Sequence, residues 1–145
     1  MTPTSCHAAV MARLVAAGLT KSISPLGVRN ESNQRINRSF SVAVNSITPS
    51  PSPGRSQPSV AGVRMTQAHT VELGHRVKPG DGQDAPDTAL QDLHTAMKYL
   101  AANDTTLTQE GALEIGTATM TFAGNGAFLV TSFGLNITYN MSLVI

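Results

Sequence analysis

Three residues with metal-binding or acid–base side chains follow one another at intervals of three: His69, Glu72 and His75. Two imidazoles and a carboxylate can bind zinc. Zinc proteases that use two histidines of one helix need them four residues apart, however, and Gly74 would interrupt a helix in this segment. His94 lies further along the chain, at no recognised ligand spacing. We therefore predict that these are unrelated polar residues and assign no metal ligand.

No other group of residues forms a catalytic pattern. Gly80-Asp81-Gly82 lacks the lysine and hydroxyl residue of a phosphate-binding loop. The single cysteine, Cys6, excludes an intramolecular disulfide. No serine or cysteine can be combined with a histidine and an acid into a nucleophilic triad. The sequence thus predicts no catalytic residue and no cofactor-binding residue, and a protein that is not an enzyme and uses no cofactor.

A basic segment contains Arg29, Arg35 and Arg38 among asparagines and glutamines. Such side chains can contact nucleic-acid phosphates and base edges. Phe40 is the one nearby aromatic that could stack on bases, and Glu31 reduces the local charge. Nucleic-acid binding through this basic arm is therefore kept as an alternative function.

Charge is distributed unevenly along the chain. Residues 1–78 contain nine Lys and Arg residues against two acids, whereas residues 79–145 contain one lysine against seven acids. This asymmetry is typical of a tail or targeting segment joined to a folded part. The N-terminus, rich in Arg and Ser, resembles an organellar transit peptide. Within it, Arg38-Ser39-Phe40-Ser41 resembles the mitochondrial processing pattern, which implies cleavage after Phe40 and a mitochondrial location, with the cytoplasm as the alternative.

The first half offers few predicted elements. Residues 8–19 consist of good helix formers and predict a helix. From 20 to 64 the composition shifts to Ser, Pro, Asn, Gln and Arg, which predicts a segment without a packed core. The run 48–59 contains four prolines and predicts an exposed linker. A short strand is predicted around Thr70–Leu73.

The second half predicts one clear helix. Asp84 and Pro86 suit its first turn, and Asn103 suits its C-terminal cap. Its apolar residues recur at steps of three and four and predict one buried stripe. The stripe consists of Leu90, Leu93, Met97 and Leu100.

The remaining segment, 115–145, contains no charged residue, histidine or proline. It predicts strands at 112–122, 127–133 and 137–145, with turns at Gly124-Asn125-Gly126 and Gly134-Leu135-Asn136. In the last strand Ile137, Tyr139, Met141 and Leu143 alternate onto one face, which we expect to pack against the helix stripe. Because folded edges are normally guarded by charge or proline, this strand should be central or covered by a partner.

The predicted fold class is α+β, with one amphipathic helix packed on a three-stranded antiparallel β-meander after a largely disordered N-terminal half. The predicted boundaries are a transit-like or disordered basic segment at 1–40, a Ser/Pro-rich linker at 41–78 and a small α+β domain at 79–145. An ordered part of that size is near the lower limit for a self-sufficient core, so we expect a protein partner or self-association. No apolar run is long and continuous enough to predict a membrane-spanning helix.

These features favour a non-enzymatic accessory or interaction protein that docks through its C-terminal sheet and carries a flexible basic N-terminal arm. One alternative is a nucleic-acid-binding accessory protein that uses the basic arm. Another is a recently arisen or overlapping reading frame without a settled function.

Overall fold

The computed structural model describes residues 1–19, 21–22, 37–49, 63–77, 84–103, 105–123 and 126–141. Three helices and five strands lie within these ranges. In chain order they are α1 (Pro3–Ala16), β1 (Lys21–Ser22), β2 (Ser39–Pro49), β3 (Val63–Arg76), α2 (Asp84–Leu100), α3 (Thr106–Gln109), β4 (Gly111–Ala123) and β5 (Phe128–Met141).

The five strands form one sheet in the order β1-β2-β3-β5-β4. Each of β2, β3, β5 and β4 is antiparallel to its neighbour, and the two-residue β1 is parallel to the start of β2. Strand β5 lies between β3 and β4 and is antiparallel to both, so β3 and β4 run in the same direction. A crossover is needed between parallel strands, and α2 provides it.

One face of the sheet is covered by α1 and α2 and contains the hydrophobic core. From α1 the residues Cys6, Val10 and Leu14 are fully buried, at intervals of four that place them on one side of the helix. The β3 and β5 residues of this core, each at most 2 % exposed, are Val71, Leu73, Phe133, Leu135, Ile137 and Tyr139.

Helix α1 begins at a capping box. Thr2 Oγ1 accepts from the Ser5 amide at 3.1 Å, and the Thr2 amide donates to Ser5 Oγ at 2.8 Å. Two otherwise unpaired backbone donors are satisfied in this way, and Pro3 in the first turn needs no donor partner. The helix begins before the predicted range 8–19 because this signal lies upstream of the apolar residues.

The α+β class is confirmed, but the three-stranded meander with one helix is wrong. The predicted strands 127–133 and 137–145 belong, as far as they are described, to one strand, β5, which runs from Phe128 to Met141 and continues through Gly134 without a turn. The long strands β2 and β3 come from sequence predicted to be disordered or linker, so the disordered N-terminal half is only partly confirmed. Most of the proline-rich run 48–59 lies outside the described residues.

The physical reason for the missed strands is the identity of their buried residues. On β3 the helix-facing positions include Gln67, His69 and His75 among apolar residues, so the apolar alternation is broken. On β2 only the first few residues are buried, among them Phe40 and Val42. Pairing with a neighbouring strand, rather than an apolar pattern of its own, fixes each of these segments.

Helix α2 is rotated relative to the predicted stripe. Leu100 is buried and Leu93 and Met97 are partly buried, but Leu90 is 52 % exposed. The helix buries Ala89, Asp92 and Ala96 instead. The uncharged strand β5 is central, between β3 and β4. It buries Ile137 and Tyr139 as predicted, whereas Met141 is only partly buried. Leu143, which was predicted to lie on the same face of this strand, is outside the described residues.

Candidate functional site

The first group of polar side chains in the core lies where α1 crosses β3 and β5. It consists of His7, Gln67, His69 and Tyr139, and we call it the Gln67 cluster. Gln67, His69 and Tyr139 are each at most 2 % exposed. The Tyr139 hydroxyl donates to Gln67 Oε1 at 2.7 Å. Gln67 Nε2 lies 3.2 Å from the Pro3 carbonyl and 3.1 Å from His69 Nε2.

These contacts fix the protonation of His69. A glutamine amide nitrogen has two hydrogens and no lone pair to offer, so Gln67 donates one hydrogen to the Pro3 carbonyl and the other to the imidazole. His69 Nε2 must therefore accept, which requires the neutral ring with its proton on Nδ1. Gln67 consequently uses its oxygen and both amide hydrogens, and it connects α1 to β3 and β5 inside the core.

Burial lowers the pKa of His69, an effect that backbone groups of Leu135 and Gln67 partly oppose and that the nearby His7 reinforces. The rings of His7 and His69 are stacked, with centroids 6.3 Å apart and planes 13° apart. Burial and the nearby His7 outweigh the backbone groups, and the hydrogen bond from Gln67 Nε2 also requires neutral His69.

Cys6 lies in the same part of the core and is fully buried. Burial raises the pKa of its thiol to about 11, against a small opposing effect of the N-terminal amine. At neutral pH the sulfur is therefore a protonated thiol, whereas nucleophilic cysteines depend on the thiolate. Cys6 acts here as a small apolar core residue.

The second polar group joins the start of β2, the end of β3 and α2. We call it the Asp92 triad, since Arg38 and His75 both bind Asp92. Arg38 Nε donates to Asp92 Oδ2 at 3.0 Å and Arg38 Nη2 donates to Oδ1 at 2.8 Å. His75 Nε2 lies 2.7 Å from Oδ2 and must donate, because an ionised carboxylate only accepts.

The two donors keep Asp92 ionised inside the protein. Burial on its own would raise the pKa of Asp92, but the hydrogen bonds from Arg38 and His75 and the electrostatic effects of both side chains outweigh it, and the pKa is lowered. The same hydrogen bonds raise the pKa of Arg38, whose side chain is half exposed. Arg38 has a φ of 57°, in the left-handed region that non-glycine residues rarely adopt. The paired carboxylate offsets the cost of that conformation.

The structure separates the residues first considered for metal binding. His69 and His75 face the helices, whereas Glu72 lies on β3 at a position of opposite parity and faces away from them. His94 is exposed on α2. Among the described residues, no three His, Cys, Asp or Glu side chains are placed to hold a metal ion together.

The arginine-rich and glycine motifs are only partly described. Arg38 belongs to the Asp92 triad, whereas Arg29, Arg35 and Gly80-Asp81-Gly82 lie outside the described residues. In the transit-like motif, Ser39-Phe40-Ser41 is buried at the start of β2. Cleavage after Phe40 would therefore cut a core strand.

Sequence reasoning missed Gln67, Tyr139 and Asp92 as members of polar clusters. Asp92 did leave a signal, because it lies three residues after Ala89 and four before Ala96, on the same side of α2. A charged residue among buried positions of a helix predicts a buried partner. Gln67 and Tyr139 left none, since their contact depends on pairing across strands far apart in the chain.

A shallow depression of about 200 Å³ lies at one end of the sheet. Arg64, Glu110, Tyr139 and Asn140 contribute to its lining. Glu110 Oε2 is 3.9 Å from the amine of Met1, and its side chain is half exposed. An exposed arginine and an exposed glutamate of opposite charge do not form a set of groups that could activate a substrate.

The edge strand β4 is the most exposed part of the sheet. After a bulge between Ile115 and Ala118, Met120 is 38 % exposed and Phe122 is 58 % exposed. By alternation with Ala118, both side chains lie on the face of the sheet that packs against the helices. The helices do not extend over these two side chains, however. Within the described parts of the chain, no strand pairs with the outer side of β4.

The opposite edge of the sheet is built differently. Strand β1 covers the start of β2 through Lys21 and Ser22. Further along, β2 has a bulge between Val44 and Ser46 and ends at Pro49. Bulges and prolines are devices that keep edge strands from pairing with other chains. Strand β4 has one bulge and, from Ile115 onward, neither charge nor proline.

No protein-family model and no curated protein matches the chain. A crystal structure of a protein from Akkermansia muciniphila is similar with a TM-score of 0.41 and 9% sequence identity, over 94% of this chain and 50% of that one. The present chain thus spans about half the length of that neighbour.

No described helix is both long and apolar enough to cross a bilayer.

Proposed function

We propose that this is a non-enzymatic accessory protein that docks onto a protein partner through its C-terminal hairpin, β4–β5. The observation that carries the proposal is the outer edge of β4. From Ile115 to Ala123 this strand is free of charge and proline, and it presents Phe122 at 58 % exposure. Among the described residues, this strand thus combines an open row of backbone groups with an apolar anchor.

Such an edge suits docking by strand addition. A partner strand laid along β4 would pair with the outward backbone amides and carbonyls, which supply affinity without regard to sequence. Phe122 and Met120 would supply specificity, since aromatic and methionine side chains are enriched at the centres of interfaces. An unguarded edge is otherwise a liability for aggregation, so a partner that covers it is favoured.

The buried polar clusters support the non-enzymatic part of the proposal. His69 and His75 are 1 % exposed and Asp92 is 8 % exposed. Gln67 and Asp92 use their polar atoms within the protein, and Cys6 is a protonated thiol. A substrate would have to displace a helix to reach any of these groups, which favours structural roles for them.

Fewer basic residues can belong to the proposed arm than the sequence alone predicts. Arg13 Nε donates to the Tyr99 carbonyl at 3.0 Å, and the Arg13 guanidinium lies over the Tyr99 ring at 5.3 Å from its centroid. Arg38 is held by Asp92. We therefore restrict the proposed arm to basic residues outside the described elements, such as Arg29 and Arg35.

Site-specific photo-crosslinking in the native cell tests the proposal. A benzophenone amino acid replaces Phe122 in one variant and Leu90, an equally exposed apolar residue of α2, in the matched control. We expect ultraviolet light to yield one discrete protein adduct at position 122 and none at 90. Adducts at neither position, or the same adducts at both, would refute docking through β4.

A further inference from the structure

We propose that the partner strand on β4 is β4 of a second copy of this chain, paired antiparallel about a two-fold axis at Met120. This inference rests on the proposed function, and it names the occupant of that edge. It would join two five-stranded sheets into one continuous sheet.

The regular part of β4 sets the position of the axis. The bulge disturbs the register between Ile115 and Ala118, and the strand ends at Ala123. Pairing with β5 is regular over Gly111–Ile115 and again over Ala118–Ala123. The first stretch contains the charged Glu114, whereas the second has no charge, and the bulged residues between them pair poorly on their outer side as well. Met120 lies at the centre of the five residues Ala118–Phe122, so a two-fold axis there uses the regular edge of both copies.

The side chains of this segment are complementary to themselves. With the axis at Met120, each Ala118 faces Phe122 of the second copy, and the two Met120 side chains face each other. A small residue opposite a large one fills the space between strands without crowding, and methionine packs well on aromatic rings. On the other face of the sheet, Thr119 faces Thr121 of the second copy, so two hydroxyls can hydrogen-bond across the junction.

Charge also favours a second copy. In a two-fold pairing, the residue on the axis faces its own copy, and a charge near the axis lies close to the same charge of the second copy. Like charges directly opposite destabilise a strand pair. Strand β4 has no charged residue from Ile115 to its end, and its one charge, Glu114, lies before the bulge. A partner of opposite charge would have little to bind here.

A disulfide test follows from the position of the axis. Opposed residues of antiparallel strands have Cα atoms about 4.5 to 5.5 Å apart, within the range that a disulfide spans. We expect Met120→Cys to form a disulfide-linked dimer under mild oxidation. The control Leu90→Cys, which is exposed on α2, should stay monomeric under the same conditions. Cys6 is buried in both variants and should not react.

A charge test complements the disulfide test. Met120→Lys places two ammonium groups opposite each other, so we expect the dimer dissociation constant from sedimentation equilibrium to rise at least about tenfold. The matched control Leu90→Lys should leave it unchanged. Melting of both variants at low concentration checks that each subunit still folds.

The outcomes separate this inference from the proposed function. No disulfide at position 120, or equal association of the wild type and Met120→Lys, would overturn the second copy as partner. If the residue-122 photo-adduct then proves to contain another protein, docking through β4 stands and only the second copy is refuted. If no adduct forms either, both proposals fall.

Discussion

At the residue scale, the notable feature is that polar side chains in the core hydrogen-bond to one another across elements far apart in the sequence. Gln67 binds Tyr139, His69 and the Pro3 carbonyl, and Asp92 binds Arg38 and His75. A buried polar group is costly unless it is paired, so each cluster penalises any arrangement that separates its members. The clusters thus help to specify the fold, and their protonation should control stability.

His69 makes the stability depend on pH in the mildly acidic range. Its pKa is lowered from the ordinary 6.5 in the folded protein, so below that value the unfolded chain binds a proton that the folded protein does not. The contribution of neutral His69 to the free energy of unfolding is therefore complete above about pH 6.5, and it is lost as the pH drops towards the folded pKa. Urea unfolding at a series of pH values should show a weaker slope for His69→Gln. A slope unchanged from wild type, or changed equally by His94→Gln on the surface of α2, would contradict this role.

Asp92 acts in a different pH range. Because its pKa is lowered below the ordinary 3.8, its contribution is present above that value and is lost as the pH falls through the folded pKa. Asp92→Asn should cost about 1–3 kcal/mol at neutral pH, since it removes a charge that Arg38 and buried His75 bind. The half-exposed Arg38 keeps the cost below that of a fully buried pair. Asp87→Asn, exposed on the same helix, is the control, and a loss below about 0.5 kcal/mol for both variants in chemical denaturation would refute the triad.

At the element scale, the sequence predicted the elements that local residue preferences determine. It missed the features that depend on pairing between distant segments. The helix 84–100, the strand 111–123 and the hairpin after it follow from capping residues, alternation and turn residues. The rotation of α2 could not be predicted, because the buried side of the helix contains Asp92 where an apolar residue is expected. The partners of Asp92 come from the start of β2 and from β3. The continuity of β5 through Gly134 was missed because glycine usually signals a turn, yet here it pairs with Thr70 of β3.

Two glycines of neighbouring strands should respond oppositely to alanine. A Cβ on Gly74 would lie 2.5 Å from Phe128 Cε1 and 2.9 Å from Ser39 Oγ, and the Phe128 ring is itself 2 % exposed. Gly74→Ala should therefore cost about 1–3 kcal/mol through crowding. Gly134→Ala meets no atom within 4 Å and should be neutral or stabilising by up to about 1 kcal/mol. Thermal melting of the two variants decides, and equal effects would contradict the described close approach of Phe128 to β3.

At the scale of the whole molecule, the N-terminal segment belongs to the fold. Cys6, Val10 and Leu14 are fully buried, and α1 covers the same side of the sheet as α2. A sequence pattern can indicate both a transit peptide and an amphipathic helix, since the two share a composition with few acids. Which of them operates in the cell decides whether the mature protein contains α1.

Removal of residues 1–40 should therefore damage the fold. A fully buried Leu, Val or Phe side chain contributes about 1.5–3 kcal/mol, so losing Leu14, Val10 and Phe40 together removes about 4.5–9 kcal/mol. This loss is of the same order as the roughly 5–15 kcal/mol by which a typical domain is stable. We expect the fragment 41–145 to lack a cooperative thermal transition, while the full chain has one. A fragment that melts as cooperatively as the full chain would contradict this, and a native protein that begins at Ser41 would support the transit-peptide proposal.

We propose the outer edge of β4 as a docking surface, with a second copy of the chain as its occupant. Amide hydrogen exchange of the full chain, measured over a range of protein concentrations, tests it most directly. We predict that the amides of Ala118–Phe122 that point away from β5 become protected as the concentration rises, whereas the outward amides of β2 near Ser46–Thr48 stay unprotected. Fast exchange at both edges, independent of concentration, would contradict the claim.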